Sequence, residues 1–231
     1  MNPEGTMIDL RRGIKAAMFD CFNTLVFPED WPFLEALAKL LGTQPDIVND
    51  ELKKLKHVSE IGQIVSAERI RRVVTALGGR ISNRVAMELA DLELAIMVEQ
   101  SVVYPGAQEA LKLIGANLRT VLVSNAHPNN RRMVLEKGLV DDVIRGIFSC
   151  DPDVGVRKPD EGIYRAALKE LKVDPHQCVY FGDGGDHELE PPRALGMTVV
   201  WVRSPNQCAI GTPDCDYVVN GVHELQELCV F

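Results

Sequence analysis

The sequence lacks the features that would assign it to a membrane or to a secretory route. No segment reaches the ~18 to 20 consecutive apolar residues that a membrane span needs. The opening segment, residues 1–15, carries several charges and lacks the apolar run of a signal peptide. We therefore expect a cytoplasmic protein with no membrane partner.

A basic stripe interleaved with aromatic residues is also missing, and the net charge is −8. A negative chain repels phosphate backbones, so we expect no nucleic-acid partner. The six cysteines show no CxxC spacing, and a chain of 231 residues does not need disulfides to hold its core. Reduced thiols are expected. With 46% hydrophobic and 25% charged residues, the composition is that of an ordinary globular protein.

Short apolar runs recur along the chain, and each is followed by a polar or glycine-containing turn. Helix-length amphipathic stretches separate the later runs, an alternation that predicts an α/β fold with helices on both faces of a parallel sheet. Ligands of such sheets bind at the carboxyl ends of the strands. The predicted strands are Ile14–Phe19, Thr120–Val123, Gly146–Phe148, Cys178–Phe181, Thr198–Val202 and Tyr217–Val219, and the predicted helices are Asn129–Lys137, Glu161–Leu171, Leu189–Leu195 and Val222–Cys229.

The first strand is followed by a different pattern. From Trp31 to about Glu99 the apolar spacing is helical, with breaks near Gly42, Gly62 and Gly78. Roughly 70 residues of helix without a strand are too many for one crossover connection. We predict that residues 27–103 form a helical subdomain inserted into a core made of residues 1–26 and 104–231.

Reactive side chains follow each of the first two predicted strands. Asp20 follows the first one and is placed to attack an electrophile, although an Asp that opens a turn is the alternative. Ser124 and Asn125 follow the second one and are suited to bind an anion, with a helix N-cap before Pro128 as the alternative.

Two further groups lie later in the chain. Lys158, fixed by Pro159, can neutralise a nucleophile and a phosphate together, or it is a surface charge. Asp183, Asp186 and Glu188 lie at a strand end that is opened by glycines, and three acids so close together suit Mg²⁺. The alternative is an Asx turn with Asp186 as a helix cap.

Taken together and in this order, the four groups resemble the motifs of the haloacid dehalogenase superfamily, over the segment from Ile14 to Val219. The resemblance implies a hydrolase with a Rossmann-like core, a C1-type helical cap and a small-molecule substrate. It implies Asp20 as nucleophile, Ser124, Asn125 and Lys158 as phosphate-binding residues, Mg²⁺ held by Asp20, Asp183 and the backbone carbonyl of Phe22, and Glu188 or, less closely, Asp186 as the second acid of the metal loop.

Phe22 departs from the pattern of the phosphatases in this superfamily. Those enzymes carry a second Asp two residues after the nucleophile, as general acid and base, whereas an aromatic residue there is similar to the dehalogenases. Asn23 stands where the motif usually has Gly, a smaller change because Asn also tolerates positive φ. The metal loop thus resembles phosphatases, and the nucleophile loop resembles dehalogenases.

Three functions follow as hypotheses. The first is a Mg²⁺-dependent phosphatase that forms an aspartyl-phosphate at Asp20. The second is a metal-independent 2-haloacid dehalogenase that forms an ester at Asp20, which is disfavoured because Trp31 to Leu41 contains no arginine to anchor a carboxylate. The third is a binding or regulatory protein that has lost turnover.

The missing Asp restricts the substrate of a phosphatase. General acid catalysis contributes about 10² to 10⁴ in rate when the leaving group is poor. Without it, the substrate should carry a good leaving group, or another residue should supply the proton. His127 and His187 lie within the motifs and are the candidates for that role; the alternative is that both are surface or loop histidines.

Overall fold

The computed structural model describes residues 6–11, 13–141, 144–206, 209 and 211–231. Its described strands, in chain order, are β1 (Ile8–Asp9), β2 (Ala16–Phe19), β3 (Val26–Phe27), β4 (Val102–Val103), β5 (Arg119–Ser124), β6 (Arg145–Phe148), β7 (Cys178–Gly182), β8 (Thr198–Val202), β9 (Tyr217–Val219) and β10 (Cys229–Val230). Six of them form a parallel sheet in the order β6-β5-β2-β7-β8-β9. The predicted α/β fold with a parallel sheet is confirmed.

The helices separate into a group before β4 and a group that alternates with the strands of the sheet. In chain order the described α-helices are α1 (Trp31–Leu41), α2 (Pro45–Lys54), α3 (Lys56–Glu60), α4 (Ser66–Ala76), α5 (Asn83–Gln100), α6 (Ala107–Asn117), α7 (Pro128–Glu136), α8 (Glu161–Leu171), α9 (Glu190–Leu195) and α10 (Leu225–Leu228). None of the helices in this described part combines the length and apolar character needed to cross a bilayer.

The central strand β2 is buried on both faces, which explains its unbroken apolar sequence. Ala17 and Phe19 pack in a cluster that includes residues of α6 and α7. Ala16 and Met18 pack in a second cluster with residues of α8. Burial on both faces selects against the alternation of polar and apolar residues seen in half-exposed strands.

The sheet brings the predicted reactive groups to one edge. Strand β2 lies in the middle of the sheet. The strands that follow it in the chain are added first on one side, as β5 and β6, and then on the other, as β7, β8 and β9. Such a reversal leaves a crevice at the carboxyl ends of the central strands. Asp20 follows β2, Ser124 ends β5 and Asp183 follows β7, so all three lie at this crevice.

The helices α1 to α5 lie between β3 and β4, which pair antiparallel. Four of these helices share an apolar cluster that includes Phe33, Leu37, Val48, Ile70 and Val73. This is the arrangement expected of an insert with its own core. The division into a core, residues 1–26 and 104–231, and a cap, residues 27–103, stays a prediction.

Short elements differ from the sequence prediction. The predicted helix Val222–Cys229 is a 3-10 turn, Val222–Glu224, followed by α10, and its last residue belongs to β10, which pairs with β1. Helix α6 was not predicted, although Ala107, Ala110, Leu111 and Ile114 follow helical spacing. The described cysteines are all free thiols, and Cys208 lies outside the described residues.

A buried ion pair joins two of the inserted helices, and a hydrogen bond from Asn129 links it to the core. Arg69 on α4 contacts Glu93 on α5, and both side chains are almost fully buried. Asn129 on α7 donates from Nδ2 to Glu93 Oε2 and to the Ala90 carbonyl, both at 2.7 Å. Three helices therefore depend on the carboxylate of Glu93.

We predict that Glu93→Met lowers the free energy of unfolding by about 3–5 kcal/mol, because Arg69 then stays buried without its anion. The double variant Arg69→Met/Glu93→Met should be less destabilised than this single variant, since it leaves no buried charge. Urea unfolding followed by circular dichroism measures both values. A double variant less stable than the single one would contradict the explanation.

Candidate active site

Asp20 is buried at the carboxyl end of β2, and three neighbours hold it. Its backbone N–H donates to the Phe181 carbonyl at 2.8 Å, which extends the pairing of β2 with β7. Thr24 Oγ1 donates to Asp20 Oδ2 at 2.7 Å, and Lys158 Nζ donates to Oδ1. Asn23 has φ 63, so the positive φ that an Asn tolerates is used in this turn.

Lys158 is buried opposite Asp20 and contacts two carboxylates at once, those of Asp20 and Glu188. Asn125 fixes its backbone on both sides. The Asn125 Oδ1 accepts from the Lys158 N–H at 2.7 Å, and the Asn125 Nδ2 donates to the Lys158 carbonyl at 3.1 Å. In this structure Asn125, which we predicted as a substrate-binding residue, holds the lysine in place.

Glu188 is the buried acid that shares Lys158 with Asp20. Its Oε2 accepts from the Tyr180 hydroxyl at 2.6 Å, and its Oε1 accepts from the Gly184 N–H at 3.2 Å. The Tyr164 hydroxyl donates to the Glu188 carbonyl at 2.8 Å. Neither tyrosine was predicted from the sequence as a site residue. A tyrosine in a fully buried strand, as Tyr180 is, needs a partner for its hydroxyl, and this was the available signal.

Asp183 leaves one carboxylate oxygen without a partner. Its Oδ1 accepts from the Gly185 N–H at 3.0 Å, and its carbonyl accepts from Trp201 Nε1 at 2.9 Å. Its Oδ2 is buried and has no hydrogen-bond partner among the described residues. Such an atom is costly unless a ligand satisfies it.

The three buried acids can share one cation. Asp20, Asp183 and Glu188 each offer a carboxylate oxygen, and these atoms lie within 4.8 Å of one another. Oxygen ligands with one partnerless member suit a hard divalent ion, so these residues fit Mg²⁺. Phe22 lines the adjacent cavity, and a role for its carbonyl stays a prediction.

Burial dominates the electrostatics of the cluster. It raises the pKa of Asp20 to about 7, helped by the nearby Glu188 and opposed by Lys158. Burial also raises the pKa of Asp183 and of Glu188. For Lys158 burial acts in the opposite direction, but Asp20 and Glu188 outweigh it and raise its pKa well above the ordinary value. Lys158 therefore stays charged, and its single positive charge does not balance the three acids when they are ionised.

Other predicted site residues lie around this cluster. Ser124 is buried at the end of β5, and its Oγ has no hydrogen-bond partner among the described residues. Asp186 is not part of the three-acid group. Its Oδ2 lies 2.6 Å from Arg157 Nη2 and 3.5 Å from Lys56 Nζ, and it accepts from Asn125 Nδ2 at 3.2 Å.

The structure does not bring either candidate histidine to the cavity. His127 caps α7, where its Nδ1 accepts from the Asn129 N–H at 3.3 Å, and burial with the nearby Arg69 lowers its pKa well below the ordinary value. His187 is half-exposed and lies 3.0 Å from Glu190. Neither histidine is among the described residues that line the cavity, and a catalytic role for either stays a prediction.

A cavity of about 270 Å³ opens beside Asp20. Two of its lining residues, Lys56 and Glu60, belong to α3 of the inserted helices. It is lined by Asp20, Phe22, Asn23, Pro28, Lys56, Glu60, Asn125, Asn130, Lys158, Asp183, Gly185, Asp186 and Glu188. Asp20, Lys158 and the acids thus share one small space with polar side chains from the insert.

A family model for haloacid dehalogenase-like hydrolases matches residues 14–196. The chain belongs to this family of hydrolases. Among curated relatives, Bifunctional epoxide hydrolase 2 of Sus scrofa is 25% identical over 208 residues, which cover 82% of this chain and 36% of that protein. The chain therefore spans little more than a third of that relative's length.

Solved structures of this family share the fold. A HAD phosphatase from Thermococcus onnurineus has a TM-score of 0.67 at 20% identity, covering 93% of this chain and 97% of its own. A 2-haloacid dehalogenase from Pseudomonas syringae pv. Tomato DC3000 has a TM-score of 0.66 at 19% identity, covering 93% and 97%. The fold is confirmed, and proteins named for both reactions that the sequence left open have it.

We predict that the affinity for Mg²⁺ falls as the pH is lowered below about 7. A pKa of about 7 means that Asp20 holds a proton below that pH, and Mg²⁺ must displace this proton in order to bind. The loss should approach about tenfold per pH unit well below the pKa. Calorimetric titration with Mg²⁺ at several pH values measures it.

Asp183→Asn should abolish this binding, whereas Asp91→Asn, which changes an exposed carboxylate on α5, should leave it intact. An affinity independent of pH, or retained in Asp183→Asn, would contradict the assignment of these ligands.

Proposed function

We propose that this hydrolase is a Mg²⁺-dependent phosphatase that acts on a small phosphorylated metabolite through an aspartyl-phosphate at Asp20. The observation that carries the proposal is the meeting of Asp20, Asp183 and Glu188 around Lys158, with one oxygen of Asp183 lacking a partner. A haloacid carries a single negative charge, whereas a phosphoryl group carries up to two, and a cation site of this kind suits the larger charge.

Each residue of the site has a part in this reaction. Asp20 attacks the phosphorus atom, and the bond from phosphorus to the leaving oxygen breaks. Lys158 neutralises the charge that develops when two anions meet, and Asn125 holds it in position. The Ser124 hydroxyl is the donor that we assign to a phosphoryl oxygen. Water then attacks the aspartyl-phosphate and restores Asp20.

Bound Mg²⁺ supplies further positive charge to the phosphoryl group, and Asp20, Asp183 and the carbonyl of Phe22 would hold it. Glu188 keeps Lys158 directed toward Asp20, and Tyr180 keeps Glu188 in place through its hydroxyl.

A 2-haloacid dehalogenase is the second candidate, because Phe22 lines the cavity in place of an acid. Against it, none of the described cavity residues is an arginine that could anchor a substrate carboxylate. Acetyl phosphate, p-nitrophenyl phosphate and 2-chloropropionate, each tested with Mg²⁺ and with EDTA, separate the two. Dehalogenation that survives EDTA supports the dehalogenase, and activity on none of them supports a binding protein without turnover.

Asp20→Asn should reduce the turnover of acetyl phosphate by about 10³-fold or more, since the amide is nearly isosteric but is a poor nucleophile. Phosphate release measures the activity, and circular dichroism shows whether the variant is folded. Turnover retained in a folded Asp20→Asn variant would exclude Asp20 as the nucleophile.

Phe22→Asp should raise kcat/KM for alkyl phosphates by up to about 10²-fold, because the new carboxyl can protonate a basic leaving oxygen. For acyl phosphates kcat/KM should change much less, since their leaving group departs without a proton. Phe22→Asn is the matched control, as it changes the shape in the same way but carries no acid. The same gain in the control would mean that the shape of the cavity, and not a missing acid, limits the rate.

A further inference from the structure

The size of the cavity restricts what the site can bind. Its volume of about 270 Å³ must hold both the phosphoryl group and the leaving group. Pockets for drug-sized ligands begin at about 300 Å³. The space beside Asp20 is therefore small compared with such pockets, and it encloses a short leaving group more completely than a nucleoside or a lipid.

The lining of the cavity combines polar and apolar surface. Most of its described residues are polar, and Phe22 and Pro28 supply extended apolar surface. Aromatic and long aliphatic groups bind chiefly by burying apolar area against apolar walls. With two such residues in the described lining, a substrate's hydrogen-bonding groups find more partners here than its aryl or alkyl groups do.

Three charged residues of the cavity lining, Lys56, Glu60 and Asp186, form a charge-balanced group with Arg157, which is not itself a lining residue. Arg157 Nε lies 2.6 Å from Glu60 Oε2, and Arg157 Nη2 lies 2.6 Å from Asp186 Oδ2. Lys56 Nζ lies 4.0 Å from Glu60 and 3.5 Å from Asp186. Two cations face two anions, so a second charge on the substrate would have to displace a partner from one of these pairs. Neutral hydroxyl and amide groups can use the remaining donors and acceptors.

The described residues that line this cavity offer no obvious proton donor for the leaving group. Position 22 holds Phe, and neither His127 nor His187 lines the cavity. The acids other than Asp20 and Asp183 are engaged by cations, Glu60 and Asp186 by Arg157 and Glu188 by Lys158. A leaving group that departs as a stable anion needs no such donor, and a carboxylate is one that is also small and polar.

We propose that the substrate is a short acyl phosphate whose acyl part carries neutral hydroxyl or amide groups. Lys56 on α3 donates a hydrogen bond to one of these groups. The proposal rests on the phosphatase function proposed above. Asp20 forms a bond to phosphorus while the bond from phosphorus to the acyl oxygen breaks, and the electron pair leaves with the carboxylate. Water then attacks phosphorus, the bond to Asp20 breaks, and the proton of the water passes to solvent with inorganic phosphate.

A substrate panel, assayed with Mg²⁺, tests the proposed substrate class. It contains glycoloyl phosphate, acetyl phosphate, succinyl phosphate, benzoyl phosphate, sn-glycerol 3-phosphate and adenosine 5′-monophosphate. We expect glycoloyl phosphate to have the highest kcat/KM, with sn-glycerol 3-phosphate lower by about 10²-fold for lack of a proton donor.

Each of the other substrate preferences would contradict one particular step of the argument. A preference for benzoyl phosphate or the nucleotide overturns the size and polarity argument, and a preference for succinyl phosphate overturns the charge argument. Equal rates on glycoloyl phosphate and sn-glycerol 3-phosphate overturn the leaving-group argument. In all these cases the phosphatase function stands. No hydrolysis of any member overturns that function, and this inference with it.

Variants of Lys56 test whether this residue binds the acyl part of the substrate. Lys56→Met should raise KM for glycoloyl phosphate by about 3- to 10-fold, the effect of losing one hydrogen bond, and should leave KM for acetyl phosphate unchanged. Lys56→Gln keeps a donor and should restore part of the difference. Lys53→Met, on the exposed face of α2, is the control and should change neither value. An equal change on both substrates in Lys56→Met would overturn the assignment of Lys56 as a specificity residue.

Discussion

The contact of the Lys158 ammonium with the carboxylates of Asp20 and Glu188 is the interaction around which the site is built. All three groups are buried, and charges removed from water are tolerated only when they are paired and hydrogen-bonded. The neighbouring contacts serve this requirement. Asn125 fixes the backbone of the lysine, and Tyr180 donates to the acid behind it.

The charges of this cluster do not cancel. Asp20, Asp183 and Glu188 contribute −3 when ionised and Lys158 contributes +1, which leaves −2 in a buried volume. Burial is the main cause of the raised pKa of each acid, and a neighbouring carboxylate adds to it in every case. A divalent ion matches the deficit, so binding of the ion and ionisation of the acids are linked.

The sequence predicted the parts of this structure that depend on local pattern. Unbroken apolar runs such as Ala16–Phe19 revealed the buried strands, and the polar residues just after them marked the reactive edge. Strands of two residues, such as β1 and β10, are too short to show a pattern, and their pairing shortened the helix predicted over Val222–Cys229. Lys56 and Glu60 were not found, because nothing local indicates which cap helix faces the crevice.

Arg157 precedes Lys158 in the chain and forms ion pairs with Glu60 of the insert and Asp186 of the core. The guanidinium that pairs with the inserted helices is thus one residue away from the ammonium that contacts Asp20. If α3 separated from the core, Arg157 would lose Glu60 and keep Asp186 alone. The charge balance next to Lys158 therefore depends on a residue that the insert supplies.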